Sequence, residues 1–254
     1  MLPQTTLNSK SFDRLRGLLI AKGITAYLVG GCVRDLLADH EIGDIDLVVG
    51  SDPKLVGAEI EKTLGGHQFL LNKEHNAIRI IGIDDGRGPA IDVLPLINDI
   101  SEDLARRDFT INSMAIPISG PDCSDNNLKV IDPYGGKRDL ENSTIKAISP
   151  NVFLNDPIRL IRAARLAAKL GFTIDDETAR LIKSHVNLIS YIAGERVRDE
   201  FMKLLSQPKS CQNLRLLDNL QLLCKIVPEL EETKGVVQPK EHHWNVFEHS
   251  IETV

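Results

Sequence analysis

Two acidic residues interrupt an otherwise apolar run at GDIDLVV, residues 43–49, and this pair constrains the chain more than any other feature. A strand turns successive side chains to opposite faces, so Asp44 and Asp46 share one face while Ile45, Leu47 and Val49 share the other. Two carboxylates this close repel each other unless a cation lies between them or one takes a proton. Hard oxygen ligands on a rigid strand suit Mg²⁺, which takes one or two protein carboxylates and completes its shell with water and phosphate. Asp44 and Asp46 are therefore the candidate metal ligands, and Mg²⁺ is the expected ion.

Just upstream, Gly30 and Gly31 follow an apolar run and precede a helical-looking segment, CVRDLLA, at residues 32–38. Paired glycines at a strand-to-helix junction let a phosphate approach backbone N–H groups, and Arg34 brings positive charge to the same place. Either feature alone is commonplace, as a loop or an exposed strand end. Together, within residues 27–49, they point to a phosphate cradle beside a metal site.

GGCVRDLL followed by GDIDLVV resembles the first signature of the class II tRNA nucleotidyltransferase and poly(A) polymerase family, within the polymerase-beta-like nucleotidyltransferase superfamily. RRDFTINSMA at 106–115, DPYGGKRDL at 132–140, DPIRLIRAARLAAKLGF at 156–172 and ERVRDEFMKLL at 195–205 extend the resemblance in the family's order. It implies an α/β head with a mixed sheet, residues 1–146, an all-α neck that binds the nucleotide base and RNA, 147–208, and a further helical segment, 209–254. It also implies template-independent addition of CMP and AMP to the tRNA 3′ end from CTP and ATP, with release of pyrophosphate. A poly(A) polymerase of the same family and an RNA-binding fragment without turnover are the alternatives.

Site residues carry over position by position. Arg107 matches a triphosphate-contacting position and is expected to bind the triphosphate together with Gly31 and Arg34 of the glycine junction, while Asp108 and Asn112 match a loop or sugar-pocket role. Asp156 and Arg159 match the base-reading pair, with Arg162 and Arg165 assisting at the nucleotide or primer end. Asp92, in AIDVLPL, can face Asp44 and Asp46 as a third catalytic carboxylate if its strand lies beside theirs; supporting the site is the other role open to it. An ionised Asp only accepts and an Arg only donates, so Asp156 and Arg159 suit cytosine and adenine, each with an amine beside an acceptor nitrogen. Uracil and guanine set a carbonyl against the aspartate. One departure stands out: Asn155 replaces the family's usual Glu, which removes a charge beside the base pocket.

Helical periodicity through Phe12, Leu15, Leu18 and Leu19 predicts a helix over 7–22, with Asn8 or Ser9 able to cap it and Gly23 as its stop. Asp52-Pro53 predicts a second helix start, ended by Gly65-Gly66. Residues 77–83 and 90–94 read as a hairpin joined by 84–88. A long helix is expected from Asp156 to Leu170, with Gly171 as its stop. At ~100° per residue, Asp156, Arg159 and Arg162 then span an arc of roughly 120°. Another helix is expected over 191–205, its Glu195, Arg196, Arg198 and Asp199 either tying neck to head or lying on the surface.

The 254 residues are 42% hydrophobic, enough for a real core. No signal-like leader or bilayer-length apolar run is read, so a cytoplasmic protein without membrane partners is expected. Cys32, Cys123, Cys211 and Cys224 show no metal-ligand spacing and read as reduced and structural. A net charge of -6 argues against a broad nucleic-acid-coating surface, so any RNA contact must be local, as on the Lys/Arg cluster of 159–183. The final HHWNVFEHSIETV is similar to the opening of an HD phosphohydrolase module, with His249 at its first metal-binding position. A truncated chain is expected, and no hydrolase metal site from His242, His243 and His249.

Overall fold

A computed structural model describes residues 10–72, 76–123, 129–238 and 244–254. The chain forms two compact units, Met1–Leu140 and Glu141–Val254.

The first unit is built on a six-stranded mixed sheet, in the order β3-β4-β5-β2-β1-β6. Its strands are β1 (Ala26–Val29), β2 (Asp44–Val49), β3 (His67–Asn72), β4 (Ala77–Ile81), β5 (Ala90–Pro95) and β6 (Ala115–Ser119). Strands β2 and β5 run parallel, and the other neighbours are antiparallel. The alternation read along β2 takes physical form here: Ile45, Leu47 and Val49 are buried in the main core with Ile91 and Val93 of β5. Helix α1 (Lys10–Ala21) supplies Phe12, Leu15 and Leu19 to that core, and α2 (Gly31–Leu37) supplies Cys32, Val33 and Leu36. Helix α3 (Pro53–Leu64) adds Val56, Ile60 and Leu64, a spacing that keeps one face toward the sheet. Asp52 caps α3 by accepting from the Lys54 N–H at 3.0 Å, and Gly65 ends it at φ 79°. Both signals were expected from the sequence. The caps expected at Asn8 and Ser9 lie outside the described residues.

The hairpin forms as expected, although β4 ends at Ile81 rather than residue 83; Gly82, at φ 74°, turns the chain out of the sheet. Edge strand β3 is an addition to the reading. Its Phe69, Leu70 and Leu71 are all exposed, so it lacks the alternation that marks a half-buried strand. Helices α4 (Ile100–Ala105) and α5 (Gly136–Glu141, reaching the unit's boundary) follow in the chain, with a short helical turn at Ile83–Gly86 and a 3-10 turn at Thr110–Asn112.

The second unit is helical, with one short parallel pair of strands, β7 (Thr144–Ile145) and β8 (Thr173–Ile174). Its helices are α6 (Val152–Asn155), α7 (Arg159–Leu170), α8 (Asp176–His185), α9 (Gly194–Leu205), α10 (Ser210–Asn219), α11 (Leu223–Ile226) and α12 (Val246–Glu252). Gly171 ends α7 in the left-handed conformation, as its position predicts. Two expectations are corrected here. Helix α7 starts at Arg159, not Asp156: the residue before Pro157 is driven out of helical geometry, and Asp156 sits extended at φ -151°, ψ 100°. Helix α9 starts at Gly194, preceded by a 3-10 turn at Val186–Tyr191. Among the described residues, no helix is long and apolar enough to cross a membrane.

Candidate functional site

In the first unit the strand register assembles an acidic face. Asp46 on β2 lies opposite Asp92 on β5, and Asp92 lies opposite Arg79 on β4. Paired residues in register project to the same side of a sheet, so Asp44, Asp46, Asp92 and Arg79 share the face opposite Ile45 and Leu47. Asp92 is thus beside the acidic pair, as its predicted strand position required. Its carboxylate, however, accepts from Arg79 Nε at 2.7 Å and Nη2 at 2.6 Å. Arg79 Nη2 also donates to Asp44 at 3.2 Å. These bonds strengthen the hold of Arg79 on its proton, chiefly through Asp92.

Burial pushes the Asp46 carboxyl up to about 6, against the pull of Arg107 and with the repulsion of Asp92 and Asp44 added. Ionisation of Asp46 is therefore disfavoured by its burial and its acidic neighbours, a cost that a bound cation would relieve. Among the described residues, no group of three or more His, Cys, Asp or Glu side chains is arranged to hold a metal. Two carboxylates from one strand are still an adequate protein donor set for Mg²⁺, and the excess negative charge around Asp46 fits a divalent cation.

The glycine junction closes on this face. Gly30 has φ +72°, and a Cβ placed on it would lie 2.8 Å from Arg107 Nη1 and 3.3 Å from Asp46 Oδ2. Glycine at 30 thus brings the Arg107 guanidinium and the Asp46 carboxylate to the same turn. Arg107 is steadied from the other side by Asp103, whose Oδ2 accepts from its Nε and Nη2 at 3.1 and 2.9 Å, one turn back on α4.

Arg34 is placed differently from a side chain reaching out to a ligand. It is buried, and donates to Asp35 from Nε at 2.8 Å and to Asn112 from Nη1 at 2.7 Å. Asn112 passes the connection on, donating to Asp108 at 3.0 Å. Arg34 therefore ties the Gly31 turn to the 108–112 loop. The DPYGGKRDL segment supports the loop from behind: Asp139 accepts from the Thr110 hydroxyl at 2.7 Å, and a Cβ on Gly136 would strike the Thr110 carbonyl. Beneath the site Cys32 is buried, and burial pushes its thiol up to about 12, which suits packing rather than nucleophilic chemistry. All four cysteines are free.

The second unit carries a polar seam between α7 and α9. Arg196 Nη2 donates to both oxygens of Asp156 at 3.0 Å. One helical turn on, buried Glu200 accepts from Arg165 Nε at 2.6 Å and lies 3.8 Å from Arg162. Helix α9 thus presents a cation and then an anion to the opposite sequence of charges from Asp156 into α7. The seam joins Asp156 to Arg196, and Arg162 and Arg165 to Glu200; the sequence marks Arg196 only as one of a group of charges and gives Glu200 no role. Their four-residue spacing on one helix was the available signal. Arg159 lies in the first turn of α7, 3.5 Å from the Val152 carbonyl. Asn155 is exposed at the end of α6, Arg198 pairs with its neighbour Asp199, and His249 lies on α12. His242 and His243 lie outside the described residues.

Comparison with known proteins bears on both units. Residues 26–95 and 86–146 match the model of the poly A polymerase head domain, and residues 171–234 match a probable RNA and SrmB-binding site of polymerase A. The CC-adding tRNA nucleotidyltransferase of Geobacter sulfurreducens is 40% identical over 187 residues, covering 73% of this chain and 41% of that protein. The A-adding tRNA nucleotidyltransferase of Deinococcus radiodurans is 32% identical over 234 residues, 90% of this chain and 51% of the relative. The Thermotoga maritima CCA-adding enzyme complexed with tRNA superposes with a TM-score of 0.76 at 29% identity, over 91% of this chain and 54% of its own. The chain spans about half the length of the curated relatives it matches.

Proposed function

Since the chain belongs to the class II tRNA nucleotidyltransferase and poly(A) polymerase family, we propose that it adds CMP and AMP to the 3′ end of tRNA from CTP and ATP, without a template, in a Mg²⁺-dependent reaction. The observation that carries this reading is the convergence of Asp46 and Arg107 on the Gly30 turn, with Asp44 on the same face of β2.

In this reading Asp44 and Asp46 hold the ion. When bound, Mg²⁺ supplies charge neutralisation at the reacting phosphate and aligns the attacking 3′-hydroxyl. The Gly30 N–H is bonded to the Met114 carbonyl, so the start of α2 at Gly31 is the backbone offered to the triphosphate, and Arg107 meets its negative charge. Arg34 acts through structure, holding that turn to Asn112. Asp92 supports the face through Arg79.

Base choice is assigned to the second unit. Asp156 offers only acceptors and Arg159 only donors, a pairing that cytosine and adenine complete. With uracil or guanine two acceptors meet, and a site built on polar pairing rejects such a mismatch by ~10⁴-fold or more. Arg196 occupies one edge of the Asp156 carboxylate, whose oxygens retain lone pairs for a base amine. Arg162 and Arg165 act from within the seam, anchored by Glu200. We assign residues 1–146 to the catalytic head, 147–208 to the neck and 209–254 to a helical extension.

The test is transfer of labelled CMP to a tRNA transcript ending before CCA. Transfer that requires Mg²⁺ and is abolished by Asp44→Ala supports the reading. Binding of the transcript without transfer under any metal condition identifies an RNA-binding fragment instead. Long adenosine tails on the same transcript when ATP is supplied in place of CTP identify a poly(A) polymerase.

A further inference from the structure

Arg79, Asp92 and Asp46 form one row across three neighbouring strands, set by the registers Arg79↔Asp92 and Asp92↔Asp46. A guanidinium cannot lose its proton in a protein, so a fixed positive charge stands inside the acidic face. Its contacts are unequal. Two parallel bonds, 2.7 and 2.6 Å, join it to Asp92, while a single bond of 3.2 Å reaches Asp44. Forked arginine–carboxylate pairing is the stronger and more directional arrangement. Asp92 is also 7% exposed, so breaking the fork would leave a buried carboxylate without compensation.

Resting on the reading of Asp44 and Asp46 as metal ligands, we propose that Arg79 is the resident cation of this face and keeps Asp92 out of the metal's ligand set. The bond to Asp44 is the one that yields when a divalent ion enters, and the fork with Asp92 persists. Two consequences follow. The protein contributes two carboxylates rather than three, which leaves coordination positions for triphosphate oxygens. The fixed charge of Arg79 also weakens binding of the ion alone, so metal and nucleotide bind best together. Arg79 is thus a positioning residue for the metal site.

Two measurements on the whole chain test this. Mn²⁺ binding, followed by electron paramagnetic resonance without nucleotide, is compared between the parent and Arg79→Met. Removing one unit charge beside the ion and releasing Asp92 is expected to tighten binding by roughly tenfold or more. In the parent, the ¹⁵N-resolved Nε–H signal of Arg79 is followed during Mg²⁺ titration and is expected to persist at saturation. Equal or weaker Mn²⁺ binding by folded Arg79→Met, or loss of the Nε–H signal on saturation, overturns the proposal. If Arg79→Met does not fold, the parent's Nε–H signal decides alone. Absence of metal binding in the parent removes the underlying reading of the face and the proposal with it, whereas binding that is indifferent to Arg79 removes the proposal only.

Discussion

One guanidinium nitrogen of Arg196 lies 3.0 Å from each carboxylate oxygen of Asp156, across the break between α6 and α7. Asp156 stands outside the helix that follows it, so its orientation depends on this pair rather than on helical geometry. Arg196→Ala is expected to reduce discrimination between CTP and UTP by about tenfold, the worth of one charge-assisted hydrogen bond to the reading group. Arg196→Lys should recover part of it. The pair is half-exposed, so global stability should change by less than about 1 kcal/mol. The measurement is kcat/KM for each nucleotide on a tRNA ending before CCA, with thermal unfolding as the control. Equal losses for both nucleotides contradict an orienting role.

Glu200 carries the other end of the seam. It is buried and bonded to Arg165 at 2.6 Å, so removing it strands a guanidinium among helices. Glu200→Ala is expected to destabilise the second unit by about 3 kcal/mol, as breaking a buried pair typically does. Urea unfolding checks this, and a change below about 0.5 kcal/mol, the range of ordinary surface substitutions, contradicts it.

Gly30→Ala should separate folding from activity. The backbone at φ 72°, ψ -136° lies outside the left-handed helical well, in a region used almost only by glycine, and costs an alanine roughly 1–3 kcal/mol. The nearest obstacle is the flexible end of Arg107, which can move aside. The protein should therefore fold with a modestly lowered melting temperature, yet lose nucleotide affinity and transfer by about a hundredfold as Arg107 leaves the turn. Parent-like activity in a folded Gly30→Ala protein contradicts the placement of Arg107.

Burial holds the Asp46 carboxyl at about 6, above its ordinary 3.8. A raised folded-state value means that folding takes up a proton between these limits. The associated stability is fully present below about pH 4 and is lost as pH rises through about 6, a difference of about 3 kcal/mol. Metal-free Asp46→Asn should accordingly exceed the parent in stability at pH 7.5 and converge with it near pH 4. Mg²⁺ should stabilise the parent at pH 7.5 and much less at pH 4.5. Denaturant titrations at the two pH values, with and without Mg²⁺, check this; a difference that does not change with pH contradicts it.

The parts of this molecule legible in its sequence are those governed by near neighbours along the chain. Alternation at Asp44–Val49 identified a half-buried strand, and Asp52, Gly65 and Gly171 marked helix ends through local backbone chemistry. Asp156 shows a local signal outweighed by another: three-residue recurrence pointed to a helix, but Pro157 delays its start to Arg159. The Arg79–Asp92 fork lies within the β4-β5 hairpin that the sequence shows, but its register, and the pairing of β5 with β2 that sets it beside Asp46, come from no local pattern. Glu200 was hidden for the same reason, because its partners lie on another helix. Edge strand β3 went unread because its exposed apolar side chains follow no alternation.

The most direct test of the central claim is to supply CTP, ATP, UTP and GTP singly, with Mg²⁺, to tRNA ending before CCA, after CC and after CCA, measuring nucleotide incorporated and pyrophosphate released. The account predicts CMP addition to the first substrate, AMP addition to the second, neither to the third, and negligible use of UTP or GTP throughout. Comparable incorporation of all four nucleotides, or none with any substrate in the presence of Mg²⁺, would contradict it.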